Sequence, residues 1–289
     1  MRDVETPGPP RAGDLGAAPD KHRERLALAL DCARQAAKVI LTHFSPLGCR
    51  AQTKSDGSPV TIADLAAEEL IRQRLAHACP DDSVLGEEHA DHTGSSDWRW
   101  VIDPIDGTRS FVSGVPLFGT MIAAQQRGAR GVWEPRVGVV LFPALGETIY
   151  ASVGAGCFHQ RRRHDGDEPP VRVGVSRVDA LDQALLCVTS PSACERELRP
   201  GAYARLSAGV KASRGWGDCF GHALVACARA ELMVDTPMKL WDVAALEPII
   251  GEAGGRLTDL LGGPVDDGSR GALASNGLLH DRALAMLNA

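Results

Sequence analysis

Residues 100–111 read WVIDPIDGTRSF, a short apolar run that ends in two aspartates three positions apart, with a proline and a glycine around the second. Pro104 fixes its own φ and drives Asp103 away from helical geometry, so a strand over 99–102 is expected to turn at once. Asp103 and Asp106 then converge on one point, and the carbonyl of Ile105 between them can face the same way. Gly107 permits a close backbone approach. The amides of 107–110 would open a short helix whose N-terminus can hold a phosphate. The hexapeptide DPIDGT also satisfies a type I turn and nothing more.

Outward from this stretch, apolar residues recur at helical spacing from Arg23 through Leu26, Leu30, Ala33, Ala37, Ile40, Leu41 and Phe44. After the loop TKSDGSP comes a second helix with Ala63, Ala67, Ile71, Leu75 and Ala78 on one side. Strand patterns follow at 83–85, 99–102, 118–125, 136–142 and 147–151, the last three joined by glycine-containing turns as in an antiparallel meander. The basic stretch RRRHDGDEPP reads as a solvated hairpin loop. Beyond it ALLCVTS (strand), CFGHALVACARA (helix), ELMVD (strand), WDVAALEPIIGEAGG (helix) and RLTDL (strand) alternate, which predicts a second, smaller α/β layer. The expected organisation is a flexible tail (1–20), an N-terminal subdomain (21–172) carrying a metal site, and a C-terminal subdomain (173–289) completing it.

The 289 residues suffice for a sizeable core, and 44% apolar with 24% charged residues is ordinary for a soluble globular chain. With 31 basic against 37 acidic residues the net charge is -6, so neither nucleic acid nor an anionic membrane is expected as a partner. Eight scattered cysteines without a Cys-x-x-Cys pair read as reduced thiols of a cytoplasmic protein. No apolar run has the length of a signal-peptide core near the start or of a bilayer span anywhere.

Two further segments bear on the aspartates. SVLGEEH sets Glu87 and Glu88 at the end of a strand, and MKLWDVAAL sets Asp242 at the start of a helix. Alone, the glutamates can be solvated and Asp242 can be a helix cap. Together, acids at three element ends form an all-oxygen inventory for a hard cation, and magnesium fits because it bridges to substrate phosphate. A cluster of two ions would explain why mutually repelling carboxylates are set so close.

GEE (86–88), WVIDPIDGT (100–108) and WDVAALEPIIGEAGG (241–255) resemble, in order, the motifs of the inositol monophosphatase family of magnesium-dependent, lithium-sensitive phosphomonoesterases. The resemblance covers residues ~25–285. It implies a mixed α/β fold, the layered αβαβα sandwich, and two or three Mg2+ ions held by Glu87, Asp103, the Ile105 carbonyl, Asp106 and Asp242. It further implies a water nucleophile activated by Thr108 with Asp64 and Glu87, a phosphate held by Gly107, Thr108, Arg109 and Ser110, and Lys54 in a loop beside the outermost ion. Asp64 is at the same time the capping-box residue of TIAD. A homodimer acting on a small phosphate monoester is what the resemblance suggests for assembly and substrate.

For the substrate, Asp235 lies seven residues before Asp242, where family members carry an acid that contacts the alcohol, and SRGWGDCFGH supplies Asp218. A strand-end turn and a helix N-cap are their plain alternatives. Two carboxylates beyond the metal ligands suit a cationic leaving group, since charge-assisted hydrogen bonds are about twice as strong as neutral ones. DGTRSFVSGVPLFGT, RGWGD, KLWDVAAL and ASNGLLHD resemble the histidinol-phosphate phosphatase branch, whose members commonly carry Lys at the position of Arg109 and Tyr at that of Trp216. A broad inositol- or sugar-phosphate phosphatase is the alternative enzyme, and a silent metal- or phosphate-binding sensor the alternative without catalysis.

Overall fold

Both helical periods are present in the computed structural model, which describes residues 19–54, 59–163, 166–265 and 269–289. They form α1 (Asp20–His43) and α2 (Ile62–Ala78), with a two-stranded ribbon of β1 (Gln52–Thr53) and β2 (Pro59–Val60) between them. The expected tail lies outside the described residues up to residue 18. On α1 the buried face is Leu26, Ala29, Cys32, Ala33, Ala36, Ala37 and Ile40, whereas Leu41, expected inside, is 44% exposed. Small side chains let this helix lie close to the sheet, and its flanking leucine is left in solvent. Helix α2 buries Ala63, Ala67, Ile71 and Leu75 and, with them, the carboxylates Asp64 and Glu68.

The large sheet holds β3 (Ser83–Gly86) and β4 (Trp98–Asp106), then, after the short α3 (Thr108–Val112), β5 (Gly119–Arg127), β6 (Trp133–Phe142), β7 (Glu147–Ser152) and β8 (Gly156–Arg163). A small strand β9 (Gly166–Asp167) pairs with β8, and β10 (Val171–Val173) closes the sheet in the order β10-β8-β7-β6-β5-β4-β3. Only β3 and β4 run parallel within it, so the expected meander is present. Two expectations need correction. The basic stretch is strand as far as Arg163, its charges meeting acids across the hairpin in the pairs Arg162–Asp167 and Arg163–Glu168. The chain also does not turn after Ile102. Strand β4 continues to Asp106, while its register slips from Asp103 opposite Met121 to Asp106 opposite Gly119. Pro104 has no N–H for the ladder, so the strand bulges there instead of ending.

The smaller sheet begins after a 3-10 turn (Leu181–Gln183) with β11 (Leu185–Val188), followed by α4 (Pro191–Glu197), α5 (Ala202–Gly209), β12 (Ala212–Arg214), α6 (Asp218–Ala226) and β13 (Leu232–Asp235). Then come α7 (Leu240–Val243), α8 (Leu246–Glu252), β14 (Arg256–Asp259), β15 (Ala272–Ser275) and α9 (His280–Asn288), giving the strand order β12-β11-β13-β15-β14. The single helix expected over 241–255 is two, because Pro248 has no N–H to offer the carbonyl of Ala244. Gly138 of β6 admits this break against the sheet, since a Cβ there would stand 2.1 Å from the Ala245 carbonyl oxygen.

Alternating side chains sort the core into layers. In β5, Ile122 and Ala124 join the cluster of α1 and α2, while Met121 and Ala123 join that of α6 and α8. In β13, Met233 shares the middle cluster, and Leu232 and Val234 pack with α5 and α9. The order is helix, sheet, helix, sheet, helix, the expected αβαβα sandwich. No helix among the described residues is long and apolar enough to cross a membrane, and all eight cysteines are free thiols.

Candidate active site

The bulge of β4 and the start of α7 bring three acids together. One carboxylate oxygen each from Asp103, Asp106 and Asp242 lies within 4.8 Å of the others. Asp103 is buried and its Oδ1 accepts the N–H of Ile105 at 3.0 Å. Asp106 Oδ2 accepts the N–H of Cys219 at 2.5 Å, and Asp242 Oδ2 accepts that of Lys239 at 2.7 Å, so Asp242 closes the first turn of α7 as well. Burial, and then repulsion from Glu87, Asp106 and Asp242, raises the Asp103 carboxyl well above its usual range. Burial and repulsion from Asp218 and Asp242 do the same to Asp106, and burial first, then Asp235 and Glu87, push Asp242 up to about 7 against the Lys239 bond. Clustered anions that resist ionising call for a cation, and a set of oxygens alone suits a hard one.

Glu87 is placed beside this cluster by the parallel register of β3 with β4, which sets Gly86 opposite Ile102. Its Oε1 is held by Lys54 Nζ at 2.6 Å, and the same ammonium reaches Glu88 Oε1 at 2.6 Å. Burial alone lowers the Lys54 ammonium, but its bonds to Glu87 and Glu88 outweigh that and raise it. Burial, only partly offset by Lys54, pushes Glu88 up to about 7. Asp64 is fully buried and forms the expected capping box, its Oδ2 accepting the Thr61 N–H at 2.8 Å and the Thr61 hydroxyl at 2.5 Å. Its Oδ1 is buried without a hydrogen bond. Burial dominates in raising this carboxyl, and Glu87 adds repulsion. Thr108 donates its hydroxyl to the Ile105 carbonyl at 3.0 Å.

Gly107, at φ 82° before α3, brings the chain close under α6, where a Cβ on it would stand 3.1 Å from Asp218 Oδ2. Asp218 therefore faces the turn that carries Asp106. It is not the helix N-cap considered from sequence. Gly217 holds that position, and Asp218 lies one residue inside with φ 52°. Burial, then Asp235 and Asp242, push the Asp218 carboxyl up to about 7, with exposed Arg109 opposing. Asp235 ends β13 almost fully buried, 3.6 Å from Nε2 of His222. His222 is fully buried on α6, and neither ring nitrogen has a hydrogen bond. Trp216, 40% exposed, precedes Asp218 by two residues. Sequence reading passed over His222 and Glu68. Each lies within a helical pattern where it looks like any polar residue.

The family pattern of the inositol monophosphatases matches residues 21–289. The chain belongs to the inositol monophosphatase family. It is 39% identical over 262 residues to a histidinol-phosphatase of Chlorobaculum parvum, covering 91% of this chain and 96% of that one. It is 40% identical over 264 residues to a histidinol-phosphatase of Mycobacterium tuberculosis, covering 91% and 98%. A solved IMPase of Thermotoga maritima superposes with a TM-score of 0.78 at 28% identity, over 92% of this chain and 97% of that one. This inositol monophosphatase family member is thus a phosphoric monoester hydrolase, and the acidic cluster lies on two of the three family motifs.

Proposed function

We propose that the enzyme hydrolyses histidinol phosphate to histidinol and phosphate, with Asp103, Asp106, Asp242, Glu87 and the Ile105 carbonyl holding two or three magnesium ions. The observation that carries the substrate is the surplus of acid. Asp218 and Asp235 lie close enough to Asp106 and Asp242 to repel their carboxylates, and the exposed Arg109 opposes this at Asp218. Neutral inositol does not need that charge, whereas an ammonium and an imidazolium do. The histidinol-phosphatases among its relatives support the same reading.

Magnesium bound there would polarise the ester and lower the pKa of a water, so that no phosphoryl-enzyme is needed. The amides of 107–110 and Arg109 hold the phosphate. The free Oδ1 of Asp64, with Glu87 and Thr108, receives the proton of the attacking water as its oxygen joins phosphorus; the bond from phosphorus to the ester oxygen breaks, and that oxygen takes a proton from solvent water to give the alcohol. Thr108 must give up its bond to the Ile105 carbonyl to do so. Lys54 steadies Glu87 from the neighbouring loop. We read residues 21–172 and 173–289 as two subdomains meeting at this site, in a cytoplasmic homodimer with a small phosphate monoester as its partner and no nucleic acid or membrane.

A competition among histidinol phosphate, inositol phosphate and glycerol phosphate tests the substrate. Asp218→Asn or Asp235→Asn should remove one charge-assisted contact, about 1.5–3 kcal/mol, or roughly ten- to hundredfold in kcat/KM on histidinol phosphate. Glycerol phosphate turnover should change little. Equal losses on both esters, or a wild-type preference for inositol phosphate, would favour a broad sugar-phosphate phosphatase.

A further inference from the structure

The stretch between Gly86 and His89 has no strand partner beyond Gly86, yet it presents Glu87 to the acidic cluster. Lys54 holds the side chains of Glu87 and Glu88, and the backbone amides that follow Glu87 are held by a side chain from α2. Glu68, fully buried on α2, accepts the N–H of Glu88 on Oε2 at 2.8 Å and that of His89 on Oε1 at 3.2 Å. Arg72, one turn later on α2, donates from Nε to Glu68 Oε1 at 2.7 Å and from Nη2 to the His89 carbonyl at 3.1 Å. The fit leaves no room for a side chain at 86, because a Cβ on Gly86 would fall 2.2 Å from Glu68 Oε1 and 2.9 Å from Arg72 Nη2.

A fully buried carboxylate is costly unless every lone pair is used, and an apolar residue would fill the same volume without that cost. Here all its bonds run to the two amides that follow Glu87 and to the arginine that grips the same turn. None serves the sheet or another helix. The backbone on the N-terminal side of Glu87 is fixed by the pairing of Gly86 with Ile102, and on the C-terminal side by Glu68.

We infer that Glu68, braced by Arg72, is a positioning residue that fixes the 86–89 turn so that the Glu87 carboxylate stands ready for the metal; this rests on the reading of Glu87 as a magnesium ligand. Groups that orient a ligand from behind influence metal affinity itself, commonly by ~10–100-fold when removed. A residue that only packs would lower stability and leave metal affinity alone.

The test is magnesium titration of the metal-free protein by calorimetry, with near-ultraviolet circular dichroism as the check on folding. Glu68→Gln keeps the shape but turns an amide N–H toward backbone N–H groups, and magnesium affinity should weaken by about tenfold or more. Arg72→Lys keeps the charge but loses the fork onto Glu68 and the His89 carbonyl. It should weaken affinity in the same direction, and it carries the test where the buried glutamine does not fold. Wild-type magnesium affinity in either folded variant overturns the inference. Asp106→Asn separates the two readings. If it also binds magnesium as the wild type does, the metal site itself is misassigned. If it loses binding while Glu68→Gln retains it, Glu68 alone is misassigned.

Discussion

Asp106 shows how a single residue can be unfavourable to the fold and necessary to the site. Its carboxyl is raised by burial and by repulsion from Asp218 and Asp242, so the folded state favours its neutral form. A raised carboxyl supports folding below its unfolded pKa and loses that support as pH rises through the folded value. Asp106→Asn removes the charge and should therefore stabilise the metal-free protein, by more at pH 8 than at pH 5, as read by urea midpoints in chelator. The same change replaces a hard anionic ligand by a neutral amide, and activity with magnesium should fall roughly a hundredfold or more. A variant that is both less active and less stable at pH 8 would mean that a hydrogen bond, such as that from the Cys219 N–H, outweighs the repulsion. At this scale the sequence was informative about Asp103, Asp106 and Asp242 because each stands next to a proline, glycine or tryptophan in a recognisable order, Asp103 and Asp106 in the last part of β4 and Asp242 in the first turn of α7. It was silent on Glu68, which sits in AAEEL beside a second glutamate. Only the turn at 86–89, eighteen or more residues away, decides which of the two is buried.

Among the elements, the break between α7 and α8 matters most to the site, since α7 carries Asp242 and packs against β4 while α8 packs against β6. Gly138 is the close approach that allows it, with the Ala245 carbonyl oxygen 2.1 Å and Pro248 Cγ 2.8 Å from where a Cβ would stand. Gly138→Ala should force the helix pair off the sheet at a cost of about 1–3 kcal/mol. Because Asp242 moves with α7, magnesium affinity should drop together with stability. Thermal unfolding and metal titration on the one variant check both, and a loss of stability with unaltered metal binding would show that α7 yields at Lys239 instead. Helices α1 and α2 and the strands from β5 to β7 were legible because their apolar residues keep a strict period over several turns or strands. Strand β8 was not, since its last three residues are exposed arginines whose charges are met by Glu147, Asp167 and Glu168. Strand β15 (Ala272–Ser275) is four residues long and has one large side chain, Leu273, and β4 was cut at Ile102 because proline signals a turn far more often than a bulge inside a strand.

Across the whole molecule, the acids come from elements that no local interaction ties together. Asp64 comes from α2, Glu87 from the end of β3, Asp103 and Asp106 from β4, Asp218 from α6, Asp235 from β13 and Asp242 from α7. They meet only when the layers stack, and their repulsion then opposes the stacking. The hydrophobic cluster shared by both sheets supplies the compensating attraction, through Met121, Val140, Met233 and Ile249 among others. A divalent cation in the cluster would convert that repulsion into a bond between the two sheets, since it binds only where the layers are joined. Magnesium at one hundred times its dissociation constant adds about 2.7 kcal/mol to a folded state that alone binds it, which for a chain of this size is a rise in Tm of about 4–5 °C. Calorimetric scans of the metal-free protein with and without magnesium should show that rise, and Asp106→Asn should abolish it. Sodium at matched ionic strength should not reproduce it, because screening of exposed charge acts weakly on carboxylates buried at the junction of the layers. An equal rise with sodium would mean that the acids repel through solvent and hold no ion in common.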